Sequence, residues 1–128
     1  MQTGHDKNLY EYSVIRYMPR VEREEFVNVG LVMMCKRRKW IRIAIHYDEK
    51  RIKALFGEEK CENVRQQLEL FENVASGSDI YSQGMEVHER FRWLTAVRSA
   101  CLTTSRPHPG RCSDLEETFS RLFSELVL

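Results

Sequence analysis

The feature that most constrains the fold is a continuous apolar run from Glu25 to Cys35. Apolar side chains occupy both of its alternating faces, which is typical of a central strand covered on both sides of a sheet. Its odd-numbered residues are all apolar from Val27 onward, so we expect them to share one face. Asn28 and Gly30 interrupt the even-numbered positions, and neither residue type favours a strand interior. We therefore expect a local need for both residues, on a face turned away from the main core.

Two further strands flank this run in the sequence. Leu9–Tyr17 is aromatic and β-branched, and Trp40–Tyr47 alternates between isoleucines and other residues. Met18–Glu25 contains a proline and a charged run, which predicts a connecting loop. Lys36–Lys39 lacks the Asn-Gly pair of a two-residue turn, so a longer hairpin tip is expected. Three strands joined by short loops predict an antiparallel meander.

The periodicity then changes from two to about 3.6, which indicates helices. Asp48 is a candidate cap for a short helix that ends before Gly57, and Gly77 lies beyond the end of the next helix. Ser113 and Glu116 have the spacing of a capping box. The predicted longer helices cover 59–75, 85–94 and 113–127. We expect the first and last of these to cover the isoleucine face of the third strand.

A fourth strand is predicted over 97–104, whereas the proline-rich segment Ser105–Cys112 is predicted to be irregular. Together these elements predict an α+β domain: an antiparallel sheet of about four strands, with helices packed mainly on one face. We expect a single domain over residues 9–127 and a flexible N-terminus over residues 1–8.

Composition argues against several classes of protein. The 128 residues carry a formal net charge of +1, which gives no global case for nucleic acid or membrane binding. The sequence has no apolar run of the roughly 20 residues that span a bilayer, and no secretion signal is recognised at its start. We therefore predict a cytoplasmic protein with no cofactor and no metal. The scattered cysteines predict buried free thiols. These are Cys35, Cys61, Cys101 and Cys112.

Two blocks of sequence, Tyr12–Gly30 and Arg90–Gly110, resemble a bacterial family known as domain-of-unknown-function family 3037. The likeness runs from about residue 10 to the end of the chain. The family carries no established activity, so the resemblance implies no catalytic residue. Its members are frequently encoded beside a HipA-like kinase, which implies a protein partner of that kind.

The only long stretch with charge of one sign lies between residues 90 and 112. It contains five arginines, of which Arg92 and Arg98 are central, and no acidic residue. One interpretation is internal pairing with the glutamates of the first loop and the long helix. The other is an anion site built from Arg92, Arg98 and His108, because arginine presents a planar fork suited to phosphate or carboxylate.

A second candidate site lies on the first two strands. Arg16 and Asn28 occupy interior strand positions, and a buried arginine needs a partner, for which Glu25 is the nearest acidic candidate. These residues form either a structural pair or a small pocket for a ligand over Gly30.

A third candidate is a protein-binding surface. We expect Trp40, Arg42 and His46 on the solvent face of the sheet, with Arg106 on a neighbouring loop, because tryptophan and arginine are enriched at binding hot spots. The basic segment Lys36–Lys39 is interpreted as a solvated hairpin tip, with phosphate contact as the alternative. No arrangement of catalytic groups is recognised. We therefore predict a non-enzymatic interaction or regulatory module, and the alternative is phosphate or nucleic-acid binding through residues 90–111.

Overall fold

The structure is a computed structural model, and it describes residues 7–20, 23–57, 61, 63–96 and 101–128. The strands are β1 (Asn8–Arg20), β2 (Glu25–Cys35), β3 (Trp40–Ile45), β4 (Leu102–Thr104) and β5 (His108–Cys112). The helices are α1 (Glu49–Phe56), α2 (Val64–Ser76), α3 (Val87–Ala96) and α4 (Leu115–Leu126). None of the described helices is long and apolar enough to cross a membrane.

The strands form one antiparallel sheet in the order β3-β2-β1-β4. β5 also pairs with β1, beside its first five residues, so β4 and β5 share the same edge of β1. The predicted three-strand meander and the α+β class are confirmed. β2 lies between two strands and is buried from Val27 onward except at half-buried Asn28, as expected for a central strand.

Helices cover both faces of the sheet. The larger hydrophobic cluster lies on the face covered by α1, α2 and α3, and α2 packs on the isoleucines of β3 as predicted. The prediction that residues 113–127 cover the same face is wrong, because α4 packs on the opposite face. The physical reason is that β2 is apolar on both sides, so each face needs an apolar helix stripe to exclude water.

A β-bulge in β2 decides which residues face which helix. Ile15 pairs with Gly30, but the next residue of β1, Arg16, pairs with Asn28, so Val29 is an extra residue in β2. The odd-numbered residues before and at the bulge, Val27 and Val29, join the larger cluster. The odd-numbered residues after it join the α4 side; these are Leu31, Met33 and Cys35. The prediction that all these residues share one face is therefore wrong.

The bulge also separates Asn28 from Gly30. Gly30 faces the larger core, contrary to our expectation, and its backbone lies in close contact with neighbouring strands. A Cβ atom at this position would lie 2.8 Å from Ile45 Cδ1, 2.9 Å from the Ala44 carbonyl oxygen and 3.1 Å from Ile15 Cδ1. The chain's own side chains therefore occupy the gap that the sequence suggested over Gly30, and glycine is needed because they approach so closely.

The segment Ser105–Cys112 is not irregular throughout, because its second half forms β5. Pro109 pairs with Glu11 of β1 at the outer edge of the sheet. An edge strand tolerates proline where the missing N–H would point to solvent, which explains how this sequence enters a sheet. The predicted strand over 97–104 is represented by β4 alone, since residues 97–100 lie outside the described ranges.

Cys61 and Cys101 form a disulfide, so the prediction of free thiols is wrong for these two residues. They are separated by 40 positions in the sequence, and only the fold brings the segment before α2 next to the start of β4. Cys35 is a buried free thiol, as predicted, whereas Cys112 is free but only half-buried.

The helix ends agree with most of the sequence signals. Asp48 caps α1 by accepting hydrogen bonds from Lys50 N and Arg51 N, and Gly77 ends α2 in the left-handed conformation at φ 80°. The predicted capping box is displaced by one residue. Asp114, not Ser113, is the N-cap of α4, and its carboxylate accepts from Glu117 N.

Candidate interaction surface

Trp40 and Arg42 lie on the face of the sheet that carries α4, where Trp40 is half-buried and Arg42 stays exposed. Trp40 Nε1 donates to Glu116 Oε2 at 3.0 Å, and Arg42 Nη1 bonds Glu116 Oε1 at 2.8 Å. Both side chains also contact the Phe119 ring, with a centroid separation of 6.4 Å for Trp40. The expectation of a solvent-exposed Trp40 surface is therefore wrong. The physical reason is that α4 packs its apolar stripe on Leu31 and Met33 of β2, which brings Glu116 and Phe119 next to Trp40.

His46 is exposed, as expected, and it borders a cleft of about 360 Å³ at the end of β3. We call this the His46 cleft; its lining is Ile45, His46, Tyr47, Arg65 and Leu68. Burial and the adjacent Tyr17 raise the pKa of Tyr47 to about 12. The phenol therefore stays neutral at physiological pH and can act only as a hydrogen-bond donor or acceptor or as an apolar ring.

Two arginines of the 90–112 stretch bind groups within the domain. Arg92 donates to both carboxylate oxygens of Glu11, at 2.8 and 3.0 Å, and this hydrogen bonding raises the pKa of the guanidinium. Arg90 donates to the carbonyl oxygens of Met85 and Ala75, which ties the end of α2 to the start of α3. Arg90 and Arg92 therefore bind groups within the domain, as the internal-pairing interpretation expects. Their partners are not the glutamates of the first loop and the long helix. Arg98 lies outside the described residues.

The remaining described basic residues of this stretch, Arg106, His108 and Arg111, are exposed on β5 or just before it. His108 stacks on Tyr12 with ring centroids 5.1 Å apart. Arg106 and Arg111 are exposed, and neither has an ion-pair partner within the described part of the chain. The structure does not bring Arg92 together with His108, since Arg92 lies on α3 and the two side chains project to opposite faces of the sheet.

Arg16 and Asn28 are neighbours on adjacent strands, on the α4 side of the sheet. Asn28 Nδ2 donates to the Leu126 carbonyl oxygen at 2.8 Å, and the Arg16 guanidinium lies 4.3 Å from the centroid of Phe26. Glu25 pairs with Arg23 rather than with Arg16. Arg16 Nε and Asn28 Oδ1 are buried and have no hydrogen-bond partner among the described residues. Asn28 thus ties the end of α4 to β2, which accounts for an amide at this position.

The hairpin between β2 and β3 is an exposed and charged feature. Its four residues, Lys36–Lys39, are consecutive cations, and all of them are exposed. We call this segment the basic tip. Lys39 N donates to Lys36 O at 3.1 Å, and Lys39 has a left-handed φ of 52°, which closes a tight turn. Arg38 Nε donates to Asn8 Oδ1 at 2.8 Å and so fixes the tip against the start of β1.

Two clefts flank the basic tip. One, of about 480 Å³, lies between β3 and the α2–α3 junction, and we call it the tip cleft. It is lined by Lys39, Trp40, Ile41, Ala75, Ser76, Met85, Glu86, Val87 and Arg90. The other, of about 300 Å³, lies between β2, β1 and β5, and we call it the Leu9 cleft. It is lined by Leu9, Tyr10, Glu11, Met34, Lys36, Pro109 and Gly110.

The basic tip was visible in the sequence, but the clefts were not. Their walls come from segments far apart in the chain, and only the sheet register and the placement of α2 and α3 bring them together. The exposed Leu9, 61% accessible at the mouth of one cleft, is the one partial sequence signal, because it is apolar at the start of a strand. No group of three or more histidine, cysteine or acidic residues arranged to hold a metal occurs among the described residues.

Comparison with known proteins gives one finding on identity. A family model described as "Protein of unknown function (DUF3037)" matches residues 12–127. No curated protein and no solved structure matches the chain.

Proposed function

This chain belongs to the DUF3037 family, and we propose that it is a non-enzymatic interaction module that binds an acidic segment of a partner protein at the basic tip. The observation that carries this proposal is the state of the tip cations. Lys36, Arg37 and Lys39 are exposed, and none of them has an ion pair with any residue in the described ranges.

Several other arginines already have an ion-pair partner within the domain. Ion pairs join Arg23 to Glu25, Arg42 to Glu116, Arg65 to Glu49, Arg92 to Glu11 and Arg121 to Glu125. A cluster of unpaired cations on a tight turn attracts an acidic partner over several ångströms and speeds its association. The turn also holds the cations in place, which lowers the entropy lost on binding.

The Leu9 cleft adds an apolar contact beside these charges. Its lining includes Met34 and Pro109, with the exposed Leu9 at its mouth, and Lys36 also lines it. Protein interfaces combine an apolar centre with a polar rim, so a segment carrying one apolar and several acidic side chains matches this surface. We propose a HipA-like kinase as the first partner to test, on the basis of the family resemblance.

The alternative function is binding of a phosphate ligand or nucleic acid through residues 90–111. Arg106 and Arg111 favour it, because they are exposed and unpaired among the described residues. Arg90 and Arg92 oppose it, because internal groups occupy their donors. A protein partner is therefore the better supported function.

The test is calorimetric titration of the purified domain with the kinase-like protein. Arg37→Ala/Lys39→Ala removes two unpaired tip cations and is expected to weaken binding at least about 10-fold. The control, Arg23→Ala/Lys50→Ala, removes two exposed cations away from the tip, Arg23 in the β1–β2 loop, where it pairs with Glu25, and Lys50 on α1, and should bind normally. Equal losses in both variants, or no loss in the tip variant, would contradict the proposal.

The same variants separate a protein partner from nucleic acid. Contact between four cations and phosphates predicts an affinity for oligonucleotides that falls on the order of 100-fold between about 50 and 200 mM salt. Tight, salt-dependent oligonucleotide binding that Arg106→Ala/Arg111→Ala abolishes and the tip variant leaves unchanged would support the alternative instead.

A further inference from the structure

The two edges of the sheet differ in how well they could accept another strand. The β4–β5 edge is broken by residues 105–107, and Pro107 and Pro109 remove two backbone donors. β3, at the other edge, pairs with β2 over six consecutive positions without a shift and contains no proline. An edge strand of this kind presents a regular row of unpaired backbone groups.

The pattern of hydrogen bonds between β2 and β3 shows which backbone groups of β3 point away from β2. His46 N donates to Val29 O at 2.7 Å, in the same register that pairs Ala44 with Leu31. In an antiparallel pair, residues bonded to the neighbouring strand alternate with residues whose N–H and C=O point away. The even-numbered residues of β3 therefore bond to β2. The N–H and C=O groups that point to the outer edge belong to Ile41, Ile43 and Ile45.

Within the described ranges, no hydrogen bond reaches these outward groups. The three isoleucines are half-buried, so this edge of the sheet is not fully covered. Ile41 lines the tip cleft, and Ile45 lines the His46 cleft. The two clefts thus lie at the two ends of the same edge, four residues apart on one face of β3.

This spacing matches an added strand. Residues i and i+4 of a strand point to the same face, so one peptide can insert a side chain into each cleft while its backbone bonds to the isoleucines between them. Each cleft has an isoleucine of β3 in its lining together with basic residues: Lys39 and Arg90 at one end, His46 and Arg65 at the other. Glu86 is the one acidic residue in the lining of the tip cleft.

A second copy of the domain does not fit this edge. α2 packs on β3, the edge strand, whereas α3 packs mainly on β2. α2 therefore lies above the edge itself. Strands in a sheet are about 4.8 Å apart, but packed helices need about 8–10 Å, so two copies of α2 would collide across a β3–β3 seam. A single extended segment has no such helix and can fit beneath α2.

We infer that β3 receives the partner's acidic segment as an additional antiparallel strand, with side chains four residues apart in the two clefts and acidic residues C-terminal to them at the basic tip. This inference rests on the proposed function and adds the conformation and direction of the bound segment. The direction follows from the antiparallel pairing: the segment passes Ile45 first and Ile41 later, and then reaches Lys39.

The test uses a synthetic peptide of alternating valine and threonine that ends in a run of glutamates, and the intact domain labelled for amide hydrogen exchange by NMR. In the free domain, the amides of Ile41, Ile43 and Ile45 should exchange faster than those of Arg42 and Ala44. Peptide binding should slow exchange of the three isoleucine amides at least about 10-fold and leave the other two unchanged. The matched control peptide carries the glutamates at its N-terminal end and should bind more weakly.

Backbone methylation of the peptide provides a second measurement that leaves the protein unaltered. N-methylation of a residue opposite an outward isoleucine removes a hydrogen bond and should weaken binding about 10-fold, whereas N-methylation of the next residue should have little effect.

The outcomes separate the two proposals. Binding that depends on Arg37 and Lys39 but leaves the isoleucine amides unprotected would overturn strand addition and keep the basic tip as the site. Protection that is equal for both peptides would overturn the stated direction. Failure of the peptide to bind at all would overturn strand addition, while the kinase titration would still decide the role of the tip.

Discussion

The two faces of the sheet are stabilised in different ways. Among the described residues, the face under α1, α2 and α3 holds 17 buried residues in one cluster, whereas the face under α4 holds 8, so most of the apolar burial lies on the first face. α4 is attached by its apolar stripe and by polar contacts at both ends. Glu116 bonds Trp40 and Arg42 near the start of the helix, and Asn28 bonds the Leu126 carbonyl near its end.

The difference explains why the polar and charged residues of β2 and β3 lie where they do. Trp40, Arg42 and Asn28 all project to the α4 face, where a single helix leaves room for partly exposed groups to find partners. Buried polar atoms without a hydrogen-bond partner in the described ranges occur on both faces: the Ser13 hydroxyl under the three helices, and Arg16 Nε and Asn28 Oδ1 on the α4 side.

The largest expected effect is loss of a phenylalanine from the larger cluster. Phe71 on α2 is 1% exposed, and Phe71→Ala should lower the free energy of unfolding by about 3–5 kcal/mol because it leaves a cavity that rigid neighbours cannot fill. Phe119→Ala on α4 should cost about 3 kcal/mol, since half-buried Trp40 and Phe123 can move into the space. The measurement is urea unfolding.

Tryptophan fluorescence can monitor each face separately. Trp93 packs against the larger cluster, and Trp40 packs against Phe119. In variants that keep only one tryptophan, Phe71→Ala should lower the urea midpoint reported by Trp93 and the one reported by Trp40 together. Phe119→Ala should lower the midpoint reported by Trp40 more than the one reported by Trp93. Identical shifts of both signals in both variants would show that the two faces unfold as one unit.

An intermediate effect is expected from filling the space above Gly30. Gly30→Val would push new methyl groups against Ile45 Cδ1 and the Ala44 carbonyl, and should destabilise the domain by about 1–3 kcal/mol. The smaller Gly30→Ala should cost less, and Ile45→Val in the same chain should restore part of the loss because it removes the nearest atom. An unchanged melting temperature for Gly30→Val would show that the larger face is loosely packed there.

The smallest effect is expected at the polar attachment of α4. Glu116→Gln removes an exposed ion pair with Arg42 but keeps an acceptor for Trp40, so it should cost about 0.2–1 kcal/mol, and salt should reduce the difference from the native chain. Glu117→Gln is the matched control, since Glu117 carries the same charge in the same helical turn without a contact to β3. A larger loss in the control would assign the effect to the helix dipole.

Much of the fold follows from local patterns in the sequence. The meander, the caps at Asp48 and Gly77 and the apolar stripe of α4 depend on residues close together in the chain, so periodicity and composition reveal them. The errors occur where distant segments decide. The bulge at Val29 follows from pairing with β1, β5 follows from the free edge of β1, and the disulfide joins residues 40 positions apart.

The candidate site divides in the same way. The sequence alone determined that Lys36–Lys39 forms a charged hairpin tip, because two strand patterns end on either side of it. Only the tertiary structure decided which other cations are available to bind a partner. Arg92 pairs with Glu11, which is distant in the sequence, and Glu116 of α4 accepts hydrogen bonds from both Trp40 and Arg42. The physical reason is that the chemical type of a side chain determines which groups it can bind. Whether it binds one of them depends on the distance between the two, and that distance is set by how the sheet and helices pack.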